Sequence, residues 1–402
     1  MTHSADENSR LLFWSRVREF AVPTSMIESA TARRAVGDWA GACAAARVDV
    51  DLDLRAVART HGQELATRVR ADLRQFVPDL LRWHFPRIAP DGLLRPALTV
   101  SLARYSPSTH LVARTAPAWA DAGQRISVAL WEAGAHQPRP DRRFRLDLHR
   151  HLWDARRTGE LRDRPGARWL SEADLLLRAE GRTGAVAVRL DSRRHLLVDP
   201  ATSTIAAVSG KVRDGPVLPD AATWTLPDLE LLDAGLIDAG RLHPLVAAAL
   251  APGGPSRPRD STTDARLVEC RGAVHRIGLV DGVLAALDHD AEEVRREELL
   301  IALGGTGLPC LRAIGEAHRR PECLVDVRAR LDHGDTAGAL AVVTGLLGPD
   351  VLARSDALRE EFDAARRRQV THGLFRAGLA GFGPPSSTQD KLRRARRLNS
   401  PR

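Results

Sequence analysis

The chain has 402 residues, 44% of them hydrophobic and 27% charged, with a formal net charge of +8. This is ordinary globular composition, so fibrous, collagenous and wholly disordered classes drop out, and the length predicts two or three units able to bury cores without disulfides. Of the +8, six cations and one anion stand between Asp390 and Arg402, so the body of the chain is nearly balanced. Only Lys211 and Lys391 are lysines, and arginine abundance by itself says little about partners.

The opening MTHSADENSRLL has no basic segment followed by an apolar one, so no secretory leader is expected. The longest apolar stretch, Leu242 to Ala251, is interrupted by His243 and Pro244 and is too short to span a bilayer. Four cysteines (Cys43, Cys270, Cys310, Cys323), none in a C-x-x-C pair, predict a cytoplasmic protein with free thiols, no disulfide and no membrane partner.

From Phe13 to about Pro90 apolar residues recur at helical spacing: Met26, Ile27 and Ala30, then Trp39, Ala42, Cys43 and Ala46, then Leu65, Val69, Leu73 and Phe76. Residues 1–95 therefore read as an N-terminal helical domain. After Pro78, Pro86 and Pro90 the period shifts to two, and strands are expected near Leu98–Ala103, Leu111–Arg114, Arg125–Leu130, Phe144–His151, Ala185–Leu190 and Leu196–Asp199. Residues 96–251 read as a central, mostly antiparallel β-rich domain.

PGGPSRPRDSTTD is nearly devoid of apolar residues, so 252–265 reads as a linker. Beyond it RLVECRG and AVHRIGLV are strand-like, and Asp281-Gly282 supplies a tight hairpin turn before VLAALDH. Asp290 is placed to cap a helix from Ala291, and further helices complete a C-terminal domain over 266–382. The whole is expected to be α+β: a helical N-terminal domain, a central antiparallel β-rich domain, and a C-terminal β-hairpin plus helical bundle. Residues 383–402 read as a disordered basic tail.

One internal similarity has a physical reason. Ala32–Ala44 aligns without gaps on Ala329–Ala341, and eight of thirteen positions match. In each copy a glycine (Gly37, Gly334) is placed to end one helix in the left-handed conformation, and an aspartate (Asp38, Asp335) to cap the next. The turn chemistry resembles that of tetratricopeptide-type helical hairpins over these two short segments alone, with no contiguous array. Read functionally, Gly37, Asp38, Trp39, Gly334 and Asp335 mark two surfaces for binding another cytosolic protein.

Chemistry is sparse. In RFRLDLHRHLWD a strand would project Asp147, His149 and His151 from one face, a ligand set for zinc or another divalent metal and the basis of an alternative hydrolase or nucleic-acid-processing reading. The bland alternative is a polar strand face. Cys310, His318 and Cys323, with Cys270 and His275, lack the two-to-four-residue knuckle spacing of zinc ribbons and read as inert thiols and exposed histidines. The Asp288-His289-Asp290 triplet is explained by helix capping. Gly304-Gly305-Thr306-Gly307 follows a helix and lacks the Lys-Ser/Thr of a phosphate loop, so it reads as a C-cap turn. No other cofactor motif occurs. The tail residues Lys391, Arg393, Arg394, Arg396 and Arg397 are suited to weak, salt-sensitive phosphate contacts. The sum predicts a non-enzymatic adaptor or regulatory component.

Overall fold

The computed structural model describes residues 2–134, 137–163, 168–190, 194–209, 215–223, 225–250, 266–270, 272–280, 283–319, 325–347, 352 and 355–379. The chain divides into two compact units, one running to Ser256 and the other beginning at Arg257. The linker expected at 252–265, the Asp281-Gly282 turn and the basic tail lie outside the described residues.

The first unit opens with helices α1 (Thr2–Arg16), α2 (Thr24–Ala35) and α3 (Trp39–Ala45), then strand β1 (Val48–Asp51). Helices α4 (Leu54–His61), α5 (Gln63–Gln75) and α6 (Pro78–His84) follow, then β2 (Arg87–Ile88), β3 (Leu93–Leu94), β4 (Thr99–Ser106), β5 (Thr109–Thr115) and β6 (Ile126–Glu132). The main sheet has the order β1-β6-β5-β4; β4, β5 and β6 are antiparallel, and β1 joins parallel to β6 with Val48 opposite Ile126.

Period-two patterning sorts its two faces. Leu111, Ala113, Ile126 and Val128 enter the large core, whereas Val112, Ala129 and Trp131 form a small cluster of their own. The large core also holds Trp14, Ile27, Cys43, Leu81 and Trp83 from the helices and Trp153, Leu231 and Val246 from beyond the sheet. No separate helical domain therefore ends at residue 95. The region expected to stand alone donates β1 to the sheet, because a four-residue strand with Val48 buried and Asp51 exposed can bury its apolar side only against β6.

A second set follows: α7 (Trp169–Glu180) packs on β7 (Val186–Arg189) and β8 (Arg194–Asp199), with β9 (Thr204–Ser209) completing an antiparallel sheet of order β7-β8-β9. Helices α8 (Pro227–Asp233) and α9 (Pro244–Leu250) return to the large core. Buried polar groups here are tied to backbone. Arg82, fully buried, donates to the carbonyls of Ala21 (2.9 Å) and Gln124, and Trp83 Nε1 donates to Asp228 at 2.8 Å.

The second unit has β10 (Arg266–Cys270), β11 (Ala273–Val280) and β12 (Val283–Ala286) in an antiparallel sheet, then α10 (Ala291–Ala302) and α11 (Pro309–Arg319). It ends with α12 (Val325–Asp332), α13 (Thr336–Leu347) and α14 (Asp356–Arg376). Its apolar interior comes in two small pieces. Cys270, Ile277, Leu308 and Cys310 join the sheet to α11, and Val327, Leu331, Ala339, Val343, Leu358 and Ala365 join the last three helices.

Candidate interaction site

The two similar segments adopt the same local structure. Gly37 and Gly334 take positive φ (+75° and +83°), and the Asp38 and Asp335 amides bond back to the carbonyls of Arg33 and Arg330 at 2.9 and 2.7 Å. Each aspartate then caps the next helix, accepting from the amide of Gly41 (2.8 Å) or Gly338 (3.1 Å). Each is also gripped from the preceding helix, by Arg33 at 3.0 Å or Arg330 at 3.1 Å. A Cβ on Gly41 or Gly338 would stand 2.1 Å from the capping carboxylate, so any larger residue there requires the aspartate side chain to shift. Hydrogen bonds to Gly41 and Arg33 hold the Asp38 carboxyl below its ordinary range.

Beside the first turn lies a cavity of ≈ 560 Å³ lined by residues that include Thr31, Arg34, Gly37, Trp39, Arg74 and His243. The helix boundary at Gly37 sets Arg34 and Trp39 at one rim, and the end of α5 sets Arg74 at another. Arg34 and Arg74 form no salt bridge among the described residues, although the buried Asp79 carboxylate acts on Arg34 through its charge. Burial lowers the Arg34 guanidinium below its ordinary range, offset in part by the charge of Asp79. Thr31 contributes a buried hydroxyl with no hydrogen-bond partner among the described residues.

His243, also in the lining, stands beside the buried Asp79. Its Nδ1 accepts from the Leu245 amide at 3.2 Å, which leaves Nε2 to carry the proton toward the buried Asp79 carboxylate 3.0 Å away. Nearby Cys43 is unreactive: burial first, then Asp79, pushes its thiol up to about 12.

The Asp147, His149 and His151 segment differs from the strand expected for it. Residues 143–152 turn instead, with amide bonds from His149 to Leu146 and from Leu152 to His149, both at 3.1 Å, and 3₁₀ geometry over Arg150–Leu152. The local reason is that three-residue turns satisfy the backbone while Leu146 and Leu152 enter the large core. Asp147 lies in a two-pronged ion pair with Arg145 (2.7 and 3.0 Å), and His149 Nε2 stands 2.9 Å from Glu172. The two imidazoles pack edge to face with centroids 5.8 Å apart.

Among the described residues, the side chains whose donor atoms converge on one point are Cys270, His275, His289 and Cys310, in the second unit. Knuckle spacing does not mark this set along the chain, because its members come from the end of β10, from β11, from the approach to α10 and from the start of α11. The side chain of His318, Cys323 and the tail cations lie outside the described residues. No family model, no curated protein and no solved structure matches this chain.

Proposed function

We propose that the protein is a non-enzymatic cytosolic interaction component, and that its N-terminal hairpin turn with the adjoining cavity takes an acidic group from a partner protein. The observation that carries this reading is that Arg34 and Arg74 line one cavity without a salt bridge among the described residues, beside the half-buried Trp39. An incoming carboxylate would satisfy the two guanidiniums and the Thr31 hydroxyl, and the indole would cover the apolar stem behind it. Arginine and tryptophan are the residue types that dominate binding energy in small, well-enclosed contacts.

A photo-crosslinking residue placed at Ala35, which is exposed and lines the same cavity, tests this in the native cytosol. The expected result is a discrete protein adduct that disappears in Arg34→Gln and in Trp39→Ala and is absent when the crosslinker sits at the remote Arg178. Equal labelling at both positions, or labelling indifferent to Arg34 and Trp39, would refute the reading.

A further inference from the structure

The second unit contains a four-donor cluster with no part in the interaction surface above. Cys270 ends β10, and His275 stands on β11 on the same sheet face, since Cys270 pairs with Ala273 and Val268 with His275. His289 follows β12 where the chain turns into α10, and Cys310 stands in the first turn of α11, which packs across all three strands. Four donors from four points of the chain therefore meet at the seam between sheet and helix.

Their donor atoms all lie within 4.8 Å of one another. Zinc bonds of about 2.0–2.1 Å to nitrogen and 2.3 Å to sulfur place tetrahedral ligand atoms roughly 3.3 to 3.8 Å apart, so small side-chain rotations suffice to meet that geometry. The two imidazoles are turned ring nitrogen to ring nitrogen, with His275 Nδ1 and His289 Nε2 2.6 Å apart. Both thiols are buried, and the His289 side chain is only 3% exposed.

The surroundings orient these groups. His289 Nδ1 stands 3.2 Å from the Glu293 carboxylate one turn along α10, which puts the proton on Nδ1 and leaves the Nε2 lone pair facing the cluster. The flanking residues lock the two histidine-bearing segments together. Asp288 accepts from the Arg276 amide at 2.7 Å and from its guanidinium at 2.5 Å, and the Leu287 amide returns to the Arg276 carbonyl at 2.8 Å. The carboxylate–imidazole pairing and the cross-strand clamp are the supports expected around a metal ligand set.

We propose that Cys270, His275, His289 and Cys310 form a structural zinc site that fastens the three-stranded sheet to α11. Two thiolates and two neutral imidazoles suit a tetrahedral zinc ion, and four protein ligands leave no position for water or substrate, so the site staples rather than catalyses. Cys270 and Cys310 are also half of the buried cluster between sheet and helix, so the ion would sit inside the contact it fastens. On binding, each cysteine gives up one proton to solvent and bonds the metal as thiolate, with no change of oxidation state.

The test uses the full chain purified under reducing conditions without a histidine tag. Elemental analysis is expected to find about one zinc ion per chain, and cobalt exchanged into the site to show the intense visible bands of a tetrahedral thiolate complex. Cys310→Ser and His289→Gln should each lose the metal, whereas Cys43→Ser, in the other unit, should keep it. Since the first two variants can misfold, wild-type protein provides a second readout: a chelator should release the zinc and expose two further thiols to a disulfide reagent. Metal below about a tenth of an ion per chain after zinc reconstitution, or full metal content in Cys310→Ser, would overturn the assignment.

Discussion

The two units solve the same problem by different means. Among the described residues, the first builds one large cluster around Trp83 and Trp153, 1% and 0% exposed, from helices, sheet and returning segments alike, with two smaller clusters besides. The second divides its buried apolar residues between two small clusters, and α10 contributes no buried residue although Leu299 and Leu303 on and just after it are 60% and 86% exposed. Among the described residues, the cluster that joins sheet to α11 has four buried members, and two of them are cysteines. A cross-link in the right place then matters more than any single apolar contact.

The largest effect expected from this contrast comes from the proposed zinc staple. Structural zinc binds isolated finger peptides with about 10–16 kcal/mol of apparent free energy, so stripping the metal or making Cys270→Ser should melt the second unit while the first keeps its transition. Calorimetry of the full chain checks this as the loss of the second unit's share of the unfolding heat while the first unit's transition stays in place; unchanged heat at unchanged temperature would remove the distinction between the units.

Next in size is the first unit's own core. Trp153→Ala empties a fully buried site where the indole Nε1 donates to the Leu146 carbonyl at 3.2 Å and should cost about 3–5 kcal/mol by denaturant unfolding. The metal content of the second unit should not change.

A smaller effect is expected at Asp154, a buried carboxylate that accepts from Arg150 (2.8 Å) and from the Arg156 amide and guanidinium (3.0 and 2.8 Å). Burial raises its pKa, but the Arg156 and Arg150 hydrogen bonds outweigh burial and leave it below the ordinary carboxylate range. A depressed folded-state pKa means the stabilisation is complete above the unfolded value of about 3.9 and is lost as pH falls through the folded one. Asp154→Asn should therefore lose about 2 kcal/mol at neutral pH and show a flatter acid limb than wild type.

The smallest effect compares the two hairpins directly. Asp38→Ala and Asp335→Ala each remove one cap and should each cost about 1 kcal/mol, in the first and second unit respectively. A neutral result at both would mean that the shared turn chemistry does not support the helices it begins.

Much of the fold was legible in the chain. The alternation in Leu98–Ala103 and its neighbours located β4 to β6, the Gly-Asp pairs located two helix-to-helix turns down to their capping bonds, and β10 and β11 lie where the run of Val, Leu and Ile set them. Each signal is local: a period, a positive φ or a side chain reaching its own backbone three residues on. The Asp147–His151 alternation misled because period two is necessary for a strand and does not exclude a run of tight turns with its leucines in the core.

What the sequence by itself determined is the mixed α+β class, the absence of an apolar run long enough to cross a membrane in helical form, and the two capped turns, because propensity and capping act over a few residues. What only the tertiary structure decided is that β1 crosses from the helical region into the sheet, that Arg34, Trp39 and Arg74 share a cavity, and that Cys270, His275, His289 and Cys310 converge. These depend on register and on the packing of α11 across the sheet, and distances set by packing leave no mark in the spacing of residues along the chain.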